Sequence, residues 1–302
     1  MFNKVTPEII SELKSIVKDE WVFIDAESVQ NYSHDYTEDF SFPPEVIVKP
    51  ANTNEVSEIV KLANKYSIPV VPRGGGTGLS GGALPIFGGI CLSMERFKSI
   101  IEIDEANFQA VVEPGVITQV FQEECEKRNL FYPPDPASRG SCFLGGNLAE
   151  CSGGPKAVKY GVTKDYVLAL EFVTASGEII NTGARVLKNS TGYNLTQLII
   201  GSEVTLGVIT KIYFKLLPLP AKKKVILVAY NSIDECASSV AKIFQAGIVP
   251  SALEMMEKSA IDAAKRQLGK EFPNSLAEAQ LLIEVDGNYE EALDKDIENL
   301  KI

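Results

Sequence analysis

Pro72-Arg73-Gly74-Gly75-Gly76-Thr77-Gly78-Leu79-Ser80-Gly81-Gly82 holds six glycines in the nine residues from Gly74 to Gly82. It follows a short apolar run, Ile68 to Val71, that reads as a strand. Glycines bury no side chain, so this stretch adds nothing to a core. They adopt positive φ at little steric cost, which lets successive backbone N–H groups converge on one anion. The stretch is therefore expected to cradle a phosphate, with Arg73 adding positive charge. An ordinary flexible linker would have no need of an Arg and a Thr among the glycines.

Two common phosphate loops can be tested against these residues. A Walker-type loop needs Gly-Lys-Ser/Thr to reach the terminal phosphates and magnesium. Here Gly78 is followed by Leu79-Ser80, which disfavours ATP and GTP. A nominal Rossmann pattern, Gly76-x-Gly78-x-x-Gly81, is present, but its mechanism needs a helix to open there. Pro85 and Gly88-Gly89 break any such helix before the apolar run Ile90-Cys91-Leu92. The glycines thus lie on a strand–loop–strand, and Rossmann-type NAD binding is disfavoured.

Composition sets outer bounds. The 302 residues suffice for more than one domain. The hydrophobic share of 45% and charged share of 23% are those of a globular protein. No uncharged apolar run approaches the ~18 residues of a membrane-spanning helix. Met1 to Pro7 lacks an apolar signal core, so a cytoplasmic location is expected. The net charge of −11 argues against a nucleic-acid partner. Lys222-Lys223-Lys224 reads as a solvated linker. The five cysteines are odd in number and widely spaced, which argues against a disulfide framework, a zinc site or an iron–sulfur cluster. The one histidine, His34, reads as a structural loop residue.

Periodicity predicts an amphipathic helix from Pro7 to about Asp19, a strand at Val46–Val48, and a helix from about Asn54 to Tyr66 opened by an Asn52/Glu55 capping box. Strands are expected at Gly89–Leu92, Ser99–Ile103 and Gln109–Val112. A helix bearing Ile117, Val120, Phe121 and Cys125 on one face follows. Pro133 to Ser138 is a rigid loop, and Gly145 to Gly154 is a second glycine cluster. Asp165–Thr174 and Glu178–Asn181 form a hairpin across Ser176-Gly177, and Val208–Lys215 is a strand. After Leu217-Pro218-Leu219-Pro220 comes a β-α-β-α-β-α order of split βαβ, ferredoxin-like type. It stops at Glu298 to Ile302 without a Gly or Pro signal, so this last domain is expected to be incomplete.

Taken in order, these motifs carry a resemblance. Pro-Arg-Gly-Gly-Gly-Thr-Gly-Leu-Ser-Gly-Gly from Pro72 is joined by Val-Glu-Pro-Gly-Val from Val112 and Pro-Pro-Asp-Pro-Ala-Ser from Pro133. Gly-Gly-Asn from Gly145, Tyr-Gly-Val-Thr-Lys-Asp from Tyr160 and Gly-Ser-Glu-x-Thr-Leu-Gly-Val-Ile-Thr from Gly201 follow. The chain resembles the FAD-linked oxidases of the vanillyl-alcohol oxidase and para-cresol methylhydroxylase type, and within them the D-lactate dehydrogenases and the glycolate oxidase D-subunit. The likeness runs well from Asp25 to Pro220 and more weakly beyond. It implies an α+β fold: a lead-in over 1–40, a two-subdomain FAD-binding domain over 41–220 (41–105 and 106–220), and a partial ferredoxin-like cap domain over 221–302.

The resemblance also implies a cofactor site. In the first loop it takes in Pro72, Arg73, Gly74, Gly75, Gly76, Thr77, Gly78, Leu79 and Gly81. From the middle of the chain it takes Pro136, Ser138, Gly145, Gly146, Asn147, Ser152, Gly153, Gly154 and Gly161, and further on Glu203, Val208 and Ile209. For Glu203 a helix or strand cap is a rival reading, and Pro134-Asp135-Pro136 reads equally as a rigid turn. Relatives with covalent flavin often carry a His where Thr77 stands, so non-covalent FAD is expected. Cys142 occupies a place where some relatives attach flavin through a thioether.

The implied reaction is oxidation of a 2-hydroxy acid of the D-lactate or glycolate class, with electrons passed to a separate acceptor, either a small carrier or a partner subunit; the chain itself is expected in the cytoplasm or peripheral to a membrane complex. Two departures bear on it. Dehydrogenase-type relatives use histidines and an acidic residue of the C-terminal half for a metal and a base. This chain has only His34, so no catalytic residue or metal ligand is assigned. Either the sequence is a piece of a chain of roughly 450 residues, or a partner completes the site. The second departure is Val204, where the family motif usually has Gly. A β-branched residue there is strained only if the position needs positive φ. A catalytically silent flavin-binding or electron-transfer subunit stays open beside the enzyme, and so does a reductase on the same fold acting on an enolpyruvyl sugar. The Pro-Asp-Pro-Ala-Ser and Tyr-Gly-Val-Thr-Lys-Asp stretches favour the 2-hydroxy-acid family over that reductase.

Overall fold

The computed structural model describes residues 2–37, 39–274 and 276–300. Lys301-Ile302, part of the ending on which incompleteness was expected, lie outside the described residues. The chain divides into two compact units. Unit 1 takes Met1–Tyr132, Ala137–Ser152 and Thr163–Leu217; unit 2 takes Pro133–Pro136, Gly153–Val162 and Pro218–Ile302.

The N-terminal helix α1 (Pro7–Val17) is capped by Thr6, whose side chain accepts from the Ile9 N–H, and buries Ile9, Leu13 and Val17. The short strand β1 (Val22–Phe23) and helix α2 (Ala26–Asn31) follow. Next come β2 (Val46–Val48), α3 (Thr53–Tyr66), β3 (Val70–Arg73) and β4 (Ile90–Ser93). The Asn52 side chain accepts from the Glu55 N–H at 3.0 Å, while Glu55 reaches back to the Ala51 N–H at 2.6 Å. The reciprocal bond therefore lands one residue earlier than in an ordinary capping box. Strands β2, β4 and β3 are parallel, with β1 antiparallel at the edge, in the order β1-β2-β4-β3. β3 begins at Val70, not Ile68, because the Ile68 N–H donates back to the Ala63 carbonyl at 2.9 Å and closes the end of α3.

The chain continues through β5 (Ile100–Asp104), β6 (Gln109–Val112), α4 (Thr118–Glu126), β7 (Leu130–Phe131), α5 (Leu144–Glu150) and α6 (Ala157–Tyr160). It then forms β8 (Val167–Thr174), β9 (Ile179–Gly183), α7 (Leu195–Ile199) and β10 (Gly207–Lys215). Five strands make an antiparallel sheet in the order β5-β6-β10-β8-β9. Its core holds Phe121, Tyr132 and Phe214, with ring centroids 4.7 to 5.4 Å apart. Helix α3 joins the two sheets. Val56, Ile59, Val60 and Ala63 enter the core beside the parallel strands. Ser57 and Asn64 hold the β8–β9 turn, each donating at 2.6 Å, to the Gly177 and Ala175 carbonyls respectively.

Two expectations are corrected here, and one cluster gains a helix. Val120 is 46% exposed, and Phe121, Gln122 and Cys125 carry the buried side of α4 instead. Asp165 lies in a 3-10 turn, Thr163–Tyr166, so the hairpin strand starts at Val167. The second glycine cluster opens in a helix: Gly145 and Gly146 stand in the first turn of α5. Glycine is a poor helix former, so propensity hid the helix. Tertiary contacts decide it, since the Leu144 and Gly145 N–H groups donate to the Val116 and Pro114 carbonyls at 2.9 and 2.7 Å.

After β11 (Leu217–Pro218), unit 2 runs β12 (Lys222–Tyr230), α8 (Ile233–Gln245), β13 (Ala252–Glu257), α9 (Lys258–Leu268), β14 (Ala279–Gly287) and α10 (Glu290–Asn299). The sheet order β12-β14-β13 is antiparallel, so β12 and β13 flank β14 as a split βαβ. Ala279, Leu281, Ile283 and Val285 of β14 share a core with Cys236 and Ile243 of α8 and Leu293 of α10. Lys222-Lys223-Lys224 is strand, not linker. Lys222 and Lys224 pair with Glu290, and Lys224 also with Asp294, which offsets their charge. No helix among the described residues is long and apolar enough to cross a membrane.

Candidate cofactor site

Unit 1 contains an open cleft whose empty space, counted out into the solvent at its mouth, is about 970 Å³. It lies where β3 ends in the glycine loop, where α5 begins and where β10 begins. Pro72, Arg73, Gly74, Gly75, Gly76, Thr77 and Gly78 line it from the first loop. Ser138, Gly145, Gly146, Asn147 and Ser152 line it from the middle of the chain, and Glu203, Val208 and Ile209 from the approach to β10. Residues some 130 positions apart in sequence are thereby brought to one place.

Each wall has a local cause. Among the described residues, none of the N–H groups of Gly74 to Gly78 donates to a protein acceptor. Gly76 has φ +66°, and a Cβ there would stand 2.3 Å from the Arg73 guanidinium. A Cβ on Gly78 or Gly146 would meet no protein atom within 4 Å. Asn147 is buried, and its amide donates to the Thr118 hydroxyl at 2.7 Å, tying α5 to α4. The Thr118 hydroxyl also lies 3.2 Å from the buried Cys142 thiol. The Ser152 carbonyl accepts from the Thr163 N–H and hydroxyl.

The turn before β10 is strained. Glu203 and Val204 have φ +50° and +64° in succession. The Glu203 N–H donates to the Ala149 carbonyl at 2.9 Å, which holds the turn against α5. A β-branched residue in this region costs on the order of 1–3 kcal/mol, so the condition set for strain at Val204 is met. Glu203 is part of this turn, and its backbone N–H satisfies one of the last carbonyls of α5. Glu150, at the end of α5, faces it across Gly82. Burial, and then the nearby Glu203 charge, raise the Glu150 carboxyl above its ordinary value.

Other expected site residues lie elsewhere. Leu79 is 77% exposed, and Gly81, at φ +80°, turns the chain toward Leu84; neither lines the cleft. Pro136, Gly153, Gly154 and Gly161 belong to unit 2 and do not line it either. There Gly154 packs on Asp135, whose carbonyl would be 2.4 Å from an added Cβ, and Gly161 has φ +78°. Met94, Pro114, Phe143, Ala149 and Glu150 line the cleft without having been singled out. Pro114 had a signal in Val-Glu-Pro-Gly-Val, because the Gly145 N–H needs its carbonyl. Met94 had none.

Two stretches of the chain match known families, the first of them holding the glycine loop and the start of α5. Residues 44–183 match the FAD binding domain, and residues 219–302 match the C-terminal domain of FAD linked oxidases. The chain belongs to the FAD-linked oxidases. The glycolate oxidase subunit GlcD of Bacillus subtilis (strain 168) is 43% identical over 270 residues, covering 89% of this chain and 57% of that protein. A D-lactate dehydrogenase of Anaerostipes hadrus is 40% identical over 303 residues, covering 98% and 63%. This FAD-linked oxidase chain therefore spans about three-fifths of the length of these relatives. Its fold is also that of p-cresol methylhydroxylase, with a TM-score of 0.82 at 18% identity over 100% of this chain and 65% of that one.

The cleft suits the family cofactor. A turn of five N–H groups without protein acceptors offers donors to a diphosphate. Two glycines whose side-chain directions are empty leave room for a flat ring or a phosphate to approach the backbone.

Proposed function

We propose that this chain forms the flavin-binding part of an oxidoreductase that oxidises a 2-hydroxy acid of the D-lactate or glycolate class. FAD is held non-covalently in the cleft of unit 1, and electrons leave to a separate acceptor, a small carrier or a partner subunit. The observation that carries the cofactor part is the row of unpaired N–H groups from Gly74 to Gly78 along the cleft. The substrate class rests on the relatives named as glycolate oxidase subunit and D-lactate dehydrogenase. We place the chain in the cytoplasm, which suits five free thiols, with any membrane association peripheral.

FAD, when bound, supplies the two-electron redox chemistry. The chain supplies the rest. The Gly74–Gly78 turn donates to the diphosphate, α5 brings Gly145 and Gly146 to the ring system, and Val208 and Ile209 give an apolar wall that excludes water. Thr77 offers no histidine for a covalent link, and the Cys142 thiol is buried beside Thr118.

A second reading is favoured by one observation. The titratable residues lining the cleft are Arg73, Cys142, Glu150 and Glu203. His34, the chain's one histidine, is not among them; its Nδ1 lies 3.1 Å from the Gln30 carbonyl. In this reading the chain binds FAD, and residues from beyond it supply the base and the substrate ligands. Anaerobic mixing of the flavin-loaded protein with D-lactate or glycolate separates the two. Bleaching of the oxidised flavin band supports the enzyme; a spectrum unchanged by both acids refutes it and leaves the binding subunit.

A further inference from the structure

Arg73 lines the cleft, yet its guanidinium is held from behind. Its Nη2 donates to the His34 carbonyl at 2.8 Å, and its Cζ lies 5.5 Å from the Tyr32 ring centroid. The side chain is buried and runs close under Gly76. Tyr32 is fixed in turn. Its hydroxyl donates to Glu95, which also receives Lys49 at 2.8 Å and the Ser93 hydroxyl at 3.0 Å. The Lys49 ammonium lies over the Phe23 and Tyr32 rings at 5.1 and 5.2 Å. Burial alone would raise the Glu95 carboxyl, but Lys49, Tyr32 and Ser93 together bring it below its ordinary value. One network thus links the lead-in, the end of β4 and the base of the glycine loop.

We propose that the lead-in positions the cofactor loop through Arg73: the Tyr32 ring and the His34 carbonyl lock the guanidinium beneath Gly76, which sets the backbone of the Gly74–Gly78 turn for the FAD diphosphate. This rests on placing the diphosphate at that turn. The chemistry requires Arg itself. A planar guanidinium can donate to the His34 carbonyl while its carbon lies over the Tyr32 ring, and a compact ammonium on a flexible stem does not hold both contacts. Arg73 is then a positioning residue rather than a bare counter-charge.

The test uses the full chain, stripped of flavin and titrated with FAD by fluorescence quenching. The ³¹P resonances of bound FAD and the melting temperature of the apoprotein are read alongside. Arg73→Lys keeps the charge, Tyr32→Leu removes the ring, and Tyr32→Phe keeps the ring without the hydroxyl. Arg73→Lys and Tyr32→Leu are each expected to weaken FAD binding roughly tenfold and to move the ³¹P resonances. The double variant should be about as weak as the weaker single, because both break one contact chain. Tyr32→Phe should stay within roughly threefold of the parent. Wild-type affinity and unmoved ³¹P resonances in Arg73→Lys would overturn the proposal, and so would losses that multiply in the double variant. If Tyr32→Leu does not fold, Arg73→Lys decides alone. Gly78→Val, whose Cβ would meet no protein atom within 4 Å, separates the two levels. If it leaves FAD binding intact, the diphosphate is not at this turn and the site reading itself fails. If it abolishes binding while Arg73→Lys is silent, only the positioning role fails.

Discussion

Gly145 and Gly146 are neighbours in one helix turn, and substituting each with alanine should have opposite consequences. A Cβ on Gly146 would meet no protein atom within 4 Å and would project into the cleft. Replacing a helical glycine by alanine gains about 0.5–1 kcal/mol. For a unit of this size that corresponds to a melting temperature about 1–4 °C higher. The same methyl occupies space the proposed cofactor needs, and overpacking a fitted site costs about 1–3 kcal/mol. Gly146→Ala is therefore expected to stabilise the apoprotein while weakening FAD binding roughly 5- to 150-fold. Gly145→Ala should do the reverse in the apoprotein. Its Cβ would stand 2.5 Å from Pro114 Cβ and 3.1 Å from the Pro114 carbonyl oxygen, so the melting temperature falls. Scanning fluorimetry of flavin-free protein and an FAD titration measure both effects. Unchanged FAD affinity in a stabilised Gly146→Ala protein would refute the approach of the cofactor to α5. A destabilised Gly146→Ala apoprotein would refute the open environment of that Cβ.

Three further outcomes are expected. Val204→Gly relieves the φ +64° strain but gives up a partly buried side chain packed on the core; the net gain is up to about 1 kcal/mol, read as a small rise in apoprotein melting temperature, and a clear fall would mean that packing outweighs strain. Acid precipitation of the flavin-loaded protein should release yellow flavin into the supernatant, whereas flavin retained in the pellet would show a covalent link. In unit 2, burial pushes the Glu284 carboxyl up, but Lys156 and Ser251 bring it below its ordinary value. Its folded value is thus the lower one, so its stabilisation is present above the ordinary carboxylate range and is lost as pH falls through the folded value. Glu284→Gln should flatten the fall in stability below about pH 4.5, and an acid limb as steep as the parent's would remove Glu284 from that account.

Much of the fold was legible because local physics and tertiary context agree. The stripe of α3 and its Asn52 cap, the Ser176-Gly177 turn and the helix Ile233–Gln245 each follow from periodicity or turn chemistry. What misled was a conflict between levels. Glycine's low helix propensity gave no helix signal at α5, but the Pro114 and Val116 carbonyls accept its first N–H groups and hold it. Three lysines argued for a solvated linker, but carboxylates on α10 offset their charge within β12.

The sequence by itself determined that a glycine-rich anion cradle follows a strand, that neither a Walker lysine nor a Rossmann helix accompanies it, and that an FAD-linked oxidase framework surrounds it. The first two are local properties, set by what glycine, proline and a missing lysine allow; the framework rests on the resemblance that the ordered motifs carry. Only the tertiary structure decided which glycines face the cleft and which face protein. Gly146 and Gly78 look into empty space, whereas Gly145 rests on Pro114 and Gly154 on Asp135. It also decided that Arg73 is held by Tyr32 and His34, some forty residues upstream. Close approach depends on what lies across from a backbone, and that partner is distant in sequence.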